Sequence, residues 1–163
     1  MKFSVGDMAV HPVRGVGEVI RIEEKNIGGA KARYYIFQLA GASATMMVPV
    51  DGVERAGVRD VISKKEATKV LSELKKDEVA VTSQPWTRRV REYTEKLESG
   101  KPIEVARVLR DISRLRDEKE LSFGERGLLE KARELLVNEL MLAKDTTREK
   151  ILKDFEKALG APV

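Results

Sequence analysis

The chain has 163 residues, with 31 Lys and Arg against 27 Asp and Glu, a formal net charge of +4, and no cysteine. This length suits one large or two small domains, and the missing thiols exclude disulfide scaffolds, thiolate metal sites, Cys nucleophiles and redox switching. No apolar run approaches the roughly 18 residues of a membrane span, and the start MKFSVGDM lacks the basic region and apolar core of a signal peptide, so a soluble cytoplasmic protein is expected.

The first 62 residues alternate β-branched and aromatic runs with Gly and Pro breaks. MAVH (8–11), EVIRIEE (18–24), RYYIFQL (33–39) and ATMMVPV (44–50) read as strands. PVRGVG (12–17), NIGGA (26–30) and AGAS (40–43) supply the turn chemistry between them. Short strands so closely spaced predict a small, strongly bent sheet or barrel.

From residue 63 the period becomes helical. Ser63 and Glu66 have capping-box spacing ahead of Ala67, Val70, Leu71 and Leu74. VAVTSQP (79–85) reads as a linker, and a helix from Trp86 to Ser99 is closed by Gly100. Pro102 opens the next helix, with Ile103, Ala106, Leu109 and Ile112 on one face. Ser122 and Glu125 form a second capping-box pattern before Leu128, Leu129, Ala132, Leu135, Leu136 and Leu140. A last helix with Ile151, Leu152, Phe155 and Leu159 ends at Gly160. The fold class is therefore α+β in two domains: a bent β module over 1–62 and a compact all-α bundle of about five helices over 63–163.

Groups that could converge for catalysis are scarce. The single histidine, His11, sits in the first strand beside a proline turn and reads as structural. P-loop, G-x-S-x-G, HExxH and EF-hand patterns are missing, and the carboxylates alternate with Lys and Arg as on a solvated helix face. These features point to a protein that binds without catalysis, metal or cofactor.

Charge is unevenly distributed. Residues 1–62 carry 8 basic and 7 acidic side chains, residues 86–116 carry 9 and 5, and residues 117–163 carry 9 and 11. The excess starts at the one tryptophan, in Trp86-Thr-Arg88-Arg89-Val-Arg91. Arginines at a helix start suit phosphates, and an apolar wedge can enter and unstack a base step. Trp86, Val90, Tyr93 and Leu97 also recur at helical spacing as a core stripe, so Trp86 is either a wedge or a core residue. Met46 and Met47 must point to opposite faces of their strand, which leaves one outside a one-sided core, either as an ordinary surface residue or as an adaptable contact for a protein partner, and an open strand edge suits strand addition. Phe123, just after the cap Ser122, reads as a packing staple, or else joins Arg126 in extending the basic surface.

The order F-S-V-G-D-M-A-V-H-P-V-R-G-V-G, then V-P-V, G-V-R-D (57–60), W-T-R-R (86–89), K-L-E-S-G (96–100) and L-S-x-G-E (121–125), resembles the CarD/CdnL family of bacterial transcription regulators over nearly the whole chain. The resemblance implies a Tudor-like module that docks on the RNA polymerase β subunit and a helical domain that reaches promoter DNA. It implies a tryptophan, here Trp86, at the upstream edge of the transcription bubble, where it hinders closure. Carried over by position, the DNA-facing set is Trp86, Arg88, Arg89 and Arg91 with Arg126, and the polymerase-facing set is Lys25, Phe37, Met47 and Pro49. Some relatives carry arginine at the sites of Lys25 and Met47, which makes the contact implied here more apolar. The expectation is a non-enzymatic, monomeric regulator, nucleoid-associated through RNA polymerase, that stabilises open promoter complexes. The alternatives are a stand-alone architectural DNA-binding protein and a protein-interaction adaptor with a buried Trp86.

Overall fold

The computed structural model describes residues 1–77 and 86–163, without the side chain of Trp86. They divide into two compact units, Met1–Val61 and Ile62–Val163.

The first unit is a four-stranded antiparallel meander in the order β1 (Met8–His11), β2 (Gly15–Ile27), β3 (Ala30–Leu39) and β4 (Thr45–Pro49). The β2–β3 hairpin turns at Gly28 and Gly29, whose φ angles of 61° and 83° require glycine. One face of the sheet is covered by Phe3 and by Val53 and Val58 from the segment after β4, closing over Val19, Tyr35, Phe37 and Val48. Edge-on ring contacts of Phe3 with Tyr35 and Phe37 fill this core, and the Phe3 N–H donates to Tyr35 Oη at 3.1 Å. Val10 then bridges Arg59, so β1 is not left bare on its outer side. A β-bulge between Val19 and Arg21 supplies a sharp bend.

His11 ends β1. Its Nδ1 accepts from the backbone N–H groups of Val13 and Arg14, each at 3.1 Å, and so holds the turn into β2. Burial, then the Arg14 charge, depress its pKa below 6.5, consistent with an imidazole used as an acceptor. This is a structural role for the chain's one histidine.

The second unit has five described helices: α1 (Lys64–Leu74), α2 (Trp86–Glu98), α3 (Pro102–Glu118), α4 (Phe123–Ala143) and α5 (Arg148–Leu159). The linker foreseen at 79–85 lies outside the described residues. Ser122 and Glu125 form a complete capping box, whereas Ser63 makes half of one: its Oγ accepts from Glu66 N, and the Glu66 carboxylate meets the hydroxyl instead of the backbone. α3 is the central helix, packed by all four others. Its Leu109 and Ile112 are fully buried with Leu74, Leu97, Leu136, Leu140, Ile151 and Phe155. Each such side chain contributes about 1.5–3 kcal/mol of burial.

α1 is tied to α3 by charge as well as by packing. Glu73 and Arg110 are nearly excluded from solvent, and Arg107 Nε and Lys76 Nζ both approach the Glu73 carboxylate at 2.9 Å. A buried carboxylate survives because cations and hydrogen bonds surround it.

Candidate interaction surfaces

The register of the sheet decides which side chains can meet a partner. Directly paired residues point to the same face. Arg21, Ile36 and Met47 are in register, as are Glu23, Tyr34 and Pro49, and Lys25 with Ala32. Lys25, Met47 and Pro49 therefore share the face opposite the Phe3–Tyr35–Phe37 core. Met47 is 45% exposed, and Pro49 and Lys25 are exposed as well. β4 has one strand partner in the sheet, so its other edge is open.

Phe37 does not belong with them. It pairs with Met46 and Val19 on the core face and is 0% exposed. Its neighbour Ile36 holds the place beside Met47, because successive strand residues point to opposite faces. The expected polymerase-facing role of its side chain is withdrawn on burial. Sequence reasoning missed Arg21, Glu23 and Tyr34, which complete the face. Arg21 and Lys25 flank Glu23 in ion pairs, and the bond from Arg21 holds the Glu23 carboxyl below its ordinary range.

In the helical unit, α2 is anchored by Tyr93 and Leu97, at 7% and 1% exposure, with Val90 half-buried. Burial and then the Asp111 charge push the Tyr93 phenol up, and burial pushes the Asp111 carboxyl up against the pull of Arg110. The opposite face carries Arg88 and Arg91, whose side chains are 68% and 81% exposed. Each lies 3.4 Å from a carboxylate one turn on, Glu92 and Glu95 respectively. Such surface pairs are worth little and yield readily to a phosphate. Arg89 faces another way: it is half-buried with its Nε excluded from solvent, one turn before Tyr93. The side chain of Trp86 lies outside the described residues, and so does the choice between wedge and core for it.

At the start of α4, Phe123 is 88% exposed and Arg126 is exposed one turn later. The packing-staple role expected for Phe123 is corrected: it touches no core. In the capping box beneath it, Glu125 Oε1 accepts from Ser122 N at 2.8 Å and from Lys119 Nζ at 3.0 Å. Burial opposes the Glu125 charge, but these bonds outweigh it and keep the carboxyl below its ordinary range. Arg126 also borders a cleft of about 620 Å³ with Arg116, Lys119 and Arg133. Four carboxylates, Asp117, Glu118, Glu120 and Glu130, line it too, so its lining carries no net positive charge to favour an anion. No group of three or more potential metal-ligating side chains converges among the described residues, and no helix among them is long and apolar enough to cross a membrane.

Two family profiles match the chain, one for each unit. The profile of the CarD-like/TRCF RID domain matches residues 3–62, and that of the CarD C-terminal domain matches residues 69–156. A Bacillus subtilis (strain 168) protein, YdeB, named as a proposed transcription factor, is 31% identical over 156 residues, spanning 94% of this chain and 99% of the relative.

Proposed function

The chain belongs to the CarD family of transcription factors, and from that premise we propose that it regulates transcription by docking on the RNA polymerase β subunit and stabilising the promoter open complex. The family is one of transcription factors and not an enzyme class. The β unit supplies the docking face, with Lys25, Met47 and Pro49 at its centre. The helical unit supplies the DNA contacts: Trp86 as the wedge at the upstream edge of the bubble, Arg88 and Arg91 on the phosphates, Arg89 behind them, and Phe123 with Arg126 in addition.

The observation that carries this proposal is the way α2 is divided. Tyr93 and Leu97 hold its inner face in the core, so Arg88 and Arg91 stand on an anchored helix near its N-terminal end, where the helix dipole adds to their attraction for phosphate. A wedge stabilises the open state by binding it better than the closed one, and a preference of about 1.4 kcal/mol shifts that equilibrium tenfold. One aromatic ring and a few arginines recognise shape and charge, so promoter choice rests with the polymerase.

Trp86→Ala tests the mechanism. The expected result is a shorter open-complex lifetime with polymerase binding intact, and a lifetime equal to wild type overturns the wedge. Met47→Glu tests the docking face in the same way, because this exposed residue can change without unfolding the sheet. Undiminished binding of that variant to the β subunit would remove the docking role of the face.

A further inference from the structure

The outward face of α1 carries a charge pattern that counting along the chain conceals. Residues 63–85 hold 5 basic and 4 acidic side chains, a nearly neutral stretch. Within α1, wound at about 100° per residue, the charges of Lys64–Leu74 separate. Lys64, Lys65, Thr68, Lys69, Ser72 and Lys75 are all exposed and fall within an arc of about 140°. No carboxylate of α1 lies inside that arc. Glu73 is turned inward at 4% exposure, and Glu66 lies beyond its edge, against the Ser63 hydroxyl. Thr68 and Ser72 donate their hydroxyls to the carbonyls of Lys64 and Thr68, at 3.1 and 3.0 Å, so the lysines alone set the field. Lys64, Lys65, Lys69 and Lys75 make no ion pair among the described residues, unlike Arg88 and Arg91 of α2.

We propose that this face of α1 is a second nucleic-acid contact, laid along the phosphate backbone of duplex DNA. It deepens the function above and rests on the reading of the helical unit as the DNA-contacting one, but on neither Trp86 nor the α2 arginines. Lys65 and Lys69 lie about 6 Å apart along the axis of this 11-residue helix, beside Lys64, and Lys75, its C-cap, follows about 9 Å further on. Lysine is a mobile point charge without the planar fork that reads a base edge or grips a single phosphate in two places. A row of such charges follows a continuous polyanion and releases its counterions without discriminating sequence. The complementary occupant is therefore a duplex held in a fixed position by other contacts.

The test is equilibrium binding of the full chain to a fluorescently labelled duplex of arbitrary sequence across a potassium chloride series, with melting curves as a folding control. Lys64→Gln/Lys65→Gln/Lys69→Gln is expected to melt like wild type and to flatten the plot of log affinity against log salt by about 2–3, at about 0.9 per phosphate contact. Lysine-to-arginine changes at the same three positions keep the slope, and Lys69→Gln alone lowers it by about 1 if the triple variant folds poorly. An unchanged slope in the triple variant, or no binding of the wild-type chain at low salt, overturns the proposal. If Arg88→Gln/Arg91→Gln flattens the slope and the α1 variants do not, α1 is excluded while the function above stands. If neither set has an effect, both fail. Weakened binding of the α1 variant to polymerase without DNA, with an unchanged DNA slope, assigns the face to an acidic protein surface and also overturns the proposal.

Discussion

Arg110 of α3 places Nη1 3.3 Å from Glu73 Oε1 of α1, and both side chains are almost completely buried. Arg107 and Lys76 complete the shell around the same carboxylate. Removing one partner from a buried pair leaves an uncompensated charge, so Glu73→Ala is expected to destabilise the helical unit by about 3–5 kcal/mol. Urea unfolding followed by circular dichroism measures this as a lower midpoint with the slope retained.

The same carboxylate makes stability depend on acid. Burial disfavours its charge, but the bonds from Arg107 and Lys76 prevail and hold its pKa at about 2, against 4.5 for the free side chain. Since the folded value is the lower one, the unfolded chain binds more protons in between, and the stabilisation is complete above 4.5 and lost as pH falls toward 2. The stability gap between wild type and Glu73→Gln should narrow across that window, as read by urea midpoints at successive pH values.

His11 gives a second, milder pH dependence. Its folded pKa lies below 6.5, so the stabilisation of the turn is full above 6.5 and declines as pH falls through the lowered value. An NMR titration should show a midpoint below 6.5 and a neutral ring protonated on Nε2, because Nδ1 is the acceptor for Val13 and Arg14. His11→Ala is expected to cost about 1 kcal/mol.

Two phenylalanines should behave in opposite ways. Phe37→Ala empties a fully buried position and is expected to cost about 3–5 kcal/mol. Phe123→Ala alters a side chain 88% exposed and is expected to stay within about 0.5 kcal/mol of wild type, while shortening open-complex lifetime. Thermal melts beside a promoter lifetime assay separate the two.

Ser122→Ala removes the acceptor for Glu125 N and half of the capping box. The expected cost is about 1 kcal/mol, read in melts. Hydrogen exchange should show faster opening in the first turn of α4, where Phe123 and Arg126 stand.

Most elements were legible because their signals are local. The caps Ser63 and Ser122 sit where a hydroxyl can reach an N–H three residues on, and Gly160 ends α5 with a φ of 79° that other residues resist. The surfaces were less legible, because a face is a property of register and packing. Phe37 and Met47 looked like neighbours on one face until the pairing of Met47 with Ile36 placed them on opposite sides. Likewise Arg89 is adjacent to Arg88 in sequence, yet their side chains leave the helix about 100° apart, one toward the bundle and one toward solvent.

By itself the sequence determined the order of strands and helices, their caps and turns, and the collinear motifs that mark the CarD family, since each depends on residues within a few positions of one another. Tertiary structure alone decided which faces those elements present. The bulge between Val19 and Arg21 adds one residue to β2 and so reverses the inward and outward alternation beyond it, turning Arg21, Glu23 and Lys25 to the side of Met47 and Pro49. Packing of α1 against α3 and α5 likewise turned Glu73 inward and left the lysines outside, so the outward side of α1 acquired a strongly basic face that the charge count along the chain does not show.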